Sequence, residues 1–151
     1  MIDLRNSEVY TRARYAMSAL NDDFIWLSTM NSQQVKQLII EWITQDQLTQ
    51  KGIDGEGDGI GVYTQYTQSL NPIKVAGTHY TLYDEGSFYR SFMVNALKKV
   101  IVIRADADKM ESQSWWRDEI LELTDENIQK LRIIYKRKVQ DYARDVLLGR
   151  R

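Results

Sequence analysis

The sequence predicts an α+β fold: a small, mostly antiparallel sheet flanked by N-terminal helices and a long C-terminal helix. Three observations predict it. Apolar residues recur at helical spacing near both ends of the chain, β-branched and aromatic residues concentrate in the middle third, and a glycine-rich run separates the first two patterns. The 151 residues fit one domain spanning 1–151, and a hydrophobic content of 43% is enough to build a core and argues against wholesale disorder.

Ser7 is placed to cap a first helix, with Val9, Ala13, Ala16, Met17 and Leu20 at helical spacing. Asn21-Asp22-Asp23 interrupts that pattern before the short apolar segment "FIWL". Residues 1–30 are a candidate assembly arm. Asn31 or Ser32 caps the next helix, whose stripe is Val35, Leu38, Ile39, Trp42 and Ile43, and Gly52 follows where a left-handed cap is expected.

"KGIDGEGDGIG" then places glycine at 52, 55, 57, 59 and 61, too many for a helix interior. Residues 51–62 are expected to form a solvated connecting loop. Beyond it "VYTQYTQ", "HYTLY" and "KKVIVIR" read as strands, the last most clearly, with "EGSFYRSFMV" a short helix or a strand entering the sheet. Thr124 caps the final helix, with Asp125 and Glu126 in its first turn. Ile128, Leu131, Tyr135, Val139, Tyr142 and Val146 form its apolar seam.

Several kinds of chemistry are tested by these residues. The glycine run lacks the Gly-Lys-Ser/Thr of a phosphate loop and the spacing of a dinucleotide fingerprint. Asp54, Glu56 and Asp58 alternate like the first ligands of a calcium loop, with Gly59 at the turn. Gly61 stands where an apolar anchor is usual and Gln65 where a bidentate Glu belongs, so this is a weak metal site at most. His79 is the sole histidine and cysteine is absent, which denies zinc its usual donors. Asp84-Glu85-Gly86 reads as a structural turn, Asp84 accepting backbone N–H bonds and Gly86 supplying positive φ. Asp84 or Ser87 would cap a helix beginning there. No catalytic residue and no cofactor site is assigned.

The aromatics Phe88, Tyr89, Phe92, Trp115 and Trp116 have only Arg90 and Arg117 among them, which argues against stacking on single-stranded nucleic acid. Core packing on one side and a protein interface on the other suit them better, with Phe88, Tyr89, Arg90, Phe92, Trp115 and Trp116 the interface candidates. Phe88 and Phe92, four apart, would share one face of a helix, which puts at least one of them in the core. The net charge of −1 exerts no general pull on nucleic acid. Its distribution is uneven: residues 106–126 carry eight acids against two bases, and residues 130–151 carry eight bases against two acids. Such blocks pair within one subunit or head to tail between copies. No apolar run reaches the roughly 18 residues that span a bilayer, and "MIDLRNSEVY" has no signal pattern, so the protein is expected to stay where it is made.

The order of these features resembles a group of small uncharacterised proteins of tailed phages and prophages of Bacteroidetes-type hosts. The motif is Leu-x-Asp-Thr-Gly-x-Phe-Tyr-x-Ser/Gly-Phe, matched here by Leu82, Asp84, Gly86, Phe88, Tyr89, Ser91 and Phe92, with Glu85 in place of the threonine. A second match is Leu123-Thr124-Asp125-Glu126-Asn127. More loosely, Asp-x-Gly-x-Leu-x-x-Ser is similar to the signature of tail-completion and head–tail joining proteins. The resemblance covers roughly residues 40 to 148. It implies a non-enzymatic virion protein of the neck or tail, assembled in the host cytoplasm. It also implies a homo-oligomeric ring joining portal-side and tail-side components. The alternative is a small adaptor or regulatory protein that binds a host or phage protein through its basic C-terminal helix.

Overall fold

A computed structural model describes Tyr15, residues 21–111, residue 113 and residues 115–150. The helix expected over Ser7 to Leu20 lies outside the described residues, apart from Tyr15, which is helical. The fold is α+β as the sequence predicts, with N-terminal helices, a two-stranded antiparallel sheet and a long C-terminal helix.

Helix α1 spans Asp22–Met30 and absorbs the "FIWL" segment, because the Asn21 side chain accepts the Phe24 N–H and caps it. Ser32 caps α2, Gln33–Glu41. The same rod then continues as a π-type stretch, Trp42–Lys51, and ends at Gly52 with φ 63°. That glycine is required twice over, since a Cβ there would also lie 2.3 Å from the His79 ring.

The middle third contains fewer strands than its composition predicts. Of "VYTQYTQ" and "HYTLY", only Val62 and His79 pair, as an isolated bridge. The Thr64 hydroxyl accepts the Thr67 N–H and turns Gln65–Leu70 into helix α3, so local capping overrides β propensity. Helix α4, Ser87–Arg90, starts from Gly86 at φ 74°, with no side-chain cap from Asp84 or Ser87. Asp84 is exposed and pairs with Lys74 at 3.2 Å, where backbone N–H partners were expected. The sheet consists of β1, Met93–Leu97, and β2, Val100–Arg104, with Ala96 opposite Ile101 and Val94 opposite Ile103. A short helix α5, Asp108–Glu111, and a 3-10 turn, Asp118–Leu121, lead to α6, Asp125–Leu147, capped by Thr124.

The core runs from Met30, Val35, Ile39, Ile43 and Leu48 through Phe88, Phe92 and Val94 to Ile120, Leu123 and Leu131. On α6 the seam is graded: Leu131 and Val146 are buried and the seam residues between them are half-buried. The start of α6 is fixed by polar contacts. Gln47, fully buried in the π-type stretch, accepts from the Thr124 N–H and from Asn127 Nδ2, both at 3.0 Å. Its Nε2 donates to the Glu122 carbonyl at 2.8 Å. Ile43, Thr44, Gln47 and Leu48, spaced as one helical face, are buried together along this stretch. Among the described residues no buried side-chain N or O lacks a partner.

Replacing Gln47 with methionine keeps the volume but strands the Thr124 N–H and the Glu122 carbonyl and leaves Asn127 Nδ2 with Asp46 alone, at 3.3 Å. A buried polar group without a partner costs about 1–3 kcal/mol, so urea unfolding should show stability lowered by roughly 3 kcal/mol. An unchanged midpoint would contradict the assignment.

Candidate protein-docking surfaces

The glycine-rich stretch is a loop, exposed along Glu56 to Gly59 and at Gly61 and Val62 as its composition predicts, and it is also pinned to the body through Asp54. Asp54 is 1% exposed. Its Oδ1 accepts the N–H groups of Glu56 and Asp58 at 3.0 and 2.8 Å, and its Oδ2 accepts Arg117 Nε at 2.5 Å. Arg117 also reaches the Gly59 carbonyl at 2.9 Å, and the Gly55 N–H donates to Glu119 at 2.8 Å. A buried carboxylate is tolerated only when paired and hydrogen-bonded, and this one is. The reason for Gly55 is close approach: a Cβ would sit 2.5 Å from Glu122 Cβ. With both oxygens of Asp54 committed, the Asp54, Glu56 and Asp58 trio does not converge on an ion. Among the described residues no group of three or more acids and histidines could hold a metal.

His79 lies against Gly52 and its Nε2 is 2.9 Å from the Thr49 carbonyl, so the ring packs the end of the π-type stretch. The aromatics form one continuous cluster. Phe88 meets Phe92 and Trp116 edge-on at 5.1 and 6.2 Å, Trp115 meets Trp116 and Tyr80, and Tyr83 meets Tyr89. Phe88 and Phe92, sequence candidates for an interface, are both interior. Tyr89 and the Trp115-Trp116 pair are half-buried. The Tyr89 hydroxyl is turned inward, donating to the Thr81 carbonyl and lying 3.0 Å from Thr49 Oγ1. Exposed Arg90 braces the turn through the Glu85 carbonyl at 3.0 Å. The stretch from Leu82 to Phe92 therefore acts chiefly as a folding element.

Two surfaces that sequence reasoning missed are better candidates. The first is a lobe, residues 63–78. Its base is closed by the Tyr63 N–H to the Thr78 carbonyl and the Gly77 N–H to the Tyr63 carbonyl, both at 2.9 Å. Lys74 ties it to Asp84, and the Gln68 side chain accepts the Ala76 N–H at 2.8 Å. Yet its large apolar side chains face water: Tyr66, Leu70 and Val75 are exposed, and Ile73 is 90% exposed. Tyr66 and Leu70 are four apart on α3, hence on one face. Reading "VYTQYTQ" as a strand hid this face, whereas the Thr64-x-x-Thr67 spacing was the available signal for the helix.

The second is a groove of about 840 Å³ between β2 and α6. Val100 to Ile103 form one wall and Leu121, Leu123, Ile128 and Leu131 form the other. Trp26 and Tyr135 close one end, their rings edge-on at 5.3 Å, and the Tyr135 hydroxyl donates to Asp22. Burial, helped by the Asp22 carboxylate, pushes the Tyr135 phenol up to about 12.

The two charge blocks scarcely meet. Lys130 pairs with Glu126 at 2.8 Å within one helical turn, whereas Arg132, Lys136, Arg137 and Lys138 are exposed and form no ion pair among the described residues. No helix among the described residues is long and apolar enough to cross a membrane. No family model matches the chain, and no curated protein or solved structure matches it.

Burial also pushes the Tyr89 phenol up to about 12. A phenol whose folded pKa is raised stabilises the fold fully below about pH 10, its unfolded value, and that stability is lost as pH rises through about 12. Titration followed at the phenolate absorbance should show Tyr89 and Tyr135 ionising last, and Tyr89→Phe should remove part of that late limb. A Tyr89→Phe curve that overlays the parent would refute the buried placement.

Proposed function

We propose that this chain is a non-enzymatic structural subunit that works by packing against further copies of itself. Its proposed setting is the neck or tail of a tailed-phage virion, as a ring between portal-side and tail-side components. The observation that carries the assembly reading is the lobe of residues 63–78. A segment locked at its base by backbone pairing while presenting Tyr66, Leu70 and Ile73 to water has a shape and chemistry suited to insertion into a neighbour. Among the described residues Arg132, Lys136, Arg137 and Lys138 form no ion pair, which favours the same arrangement, since these bases along α6 are available to meet the acids ahead of α6 in a second copy, head to tail. The virion setting comes from the matches at Leu82 to Phe92 and Leu123 to Asn127 alone.

The adaptor reading is favoured by one observation: exposed Arg132, Lys136, Arg137 and Lys138 would suit an acidic protein partner. The two readings differ in what the lobe does. If copies pack through it, Ile73→Asp should shift sedimentation from oligomer toward monomer while leaving the melting temperature close to the parent's, because exposed substitutions change stability by only about 0.5 kcal/mol. An oligomer indifferent to Ile73→Asp, or a chain monomeric at every concentration and on intact particles, would overturn the assembly reading.

A further inference from the structure

The sheet has two outer edges, and the fold treats them differently. The Asn31 side chain covers the β1 edge: its Nδ2 donates to the Ala96 carbonyl and its Oδ1 accepts the Ala96 N–H, both at 3.0 Å. Opposite residues in an antiparallel pair either exchange both backbone bonds or turn both pairs of groups outward. Ala96 faces outward, so Ile101 opposite it does too, and two residues on so does Ile103. Among the described residues no backbone bond other than the β1 ladder involves residues 100–104. The N–H and C=O groups of Ile101 and Ile103 are thus aimed outward and unpaired among the described residues.

They point along the groove. A cavity over one sheet face would touch alternate residues, but this one is lined by Lys99, Val100, Ile101, Val102 and Ile103 in unbroken succession, so it follows the backbone edge. A strand set about 4.8 Å out from β2 would satisfy those groups. The side chains on its inner face would meet Leu121, Leu123, Ile128 and Leu131. The recognition chemistry is that of an extended polypeptide with apolar residues at every second position.

We propose that the occupant is the segment Ile2 to Arg5 of a second copy of this chain, added to β2 as a third strand. Ile2 and Leu4 are apolar and Asp3 and Arg5 polar, the period of two that the groove selects. The segment lies outside the described residues, and the described chain resumes at the groove's rim, where Tyr135 meets Asp22. The helical pattern read from Ser7 to Leu20 corresponds to about 20 Å of spacer. Six extended residues reach roughly the same distance, which favours a neighbour's groove over the segment's own. This inference rests on the assembly reading and names one of its contacts, distinct from the lobe.

The test uses the full chain and a fluorescent peptide, MIDLRNSE. An I2K/L4K variant should assemble at least about tenfold less readily than the parent, with unchanged circular dichroism and melting. Its empty groove should bind the peptide. N-methylation of the peptide at Asp3 or at Leu4, neighbours whose amides face opposite ways, should abolish binding in one case and spare it in the other. An I2K/L4K variant that assembles like the parent, while Ile73→Asp still dissociates it, overturns the strand and leaves the assembly reading standing. Dissociation by Ile103→Pro but not by I2K/L4K also overturns it, by assigning the groove to β2 of a second copy. A variant that binds no peptide, or binds both N-methylated forms alike, overturns it as well.

Discussion

The position of the long helix depends on one buried carboxamide. Gln47 holds the Thr124 N–H, the Asn127 amide and the Glu122 carbonyl at once, and each of those groups lies within the first turn of α6 or just before it. Apolar packing alone would let α6 slide along its seam, because dispersion is non-directional and Leu131, Tyr135 and Val146 offer several similar registers. Three hydrogen bonds to one side chain remove that freedom. Once the start of α6 is fixed, the distance between α6 and β2 is fixed, and the groove between them follows from it.

Much of this was legible in the sequence. Ser32 and Thr124 as caps, Gly52 as a left-handed terminus, "KKVIVIR" as a strand and the seam of α6 are local signals, and local chemistry decides them. What the sequence hid was long-range. Gln47 and Thr124 are 77 residues apart, and nothing in the pattern of either marks the other. Asp54 looks like a calcium ligand until Arg117, 63 residues on, fills the place of the cation. The middle third misled because threonine and tyrosine suit strands and yet Thr64 also caps helices, so composition argued one way and the cap the other.

The candidate site was legible only in part. Aromatic crowding at Phe88, Tyr89, Phe92, Trp115 and Trp116 marks importance without saying whether the rings face inward, and the interior holds both phenylalanines. The lobe and the groove emerge from exposure and backbone valence, which have no sequence signature of their own. Among the described residues one sheet edge is sealed by Asn31 and the other is open beside an apolar wall, an asymmetry that stands out because an exposed edge is a hazard that folds usually blunt.

Residue-resolved hydrogen exchange on dilute, monomeric protein tests these linked constraints most directly. The Thr124 amide should exchange only through global unfolding, because Gln47 holds it, while the Ile101 and Ile103 amides exchange fast and those of Ala96 and Val102 slowly. Rapid exchange at Thr124, or protection at Ile101 and Ile103 equal to that of their neighbours, would contradict it.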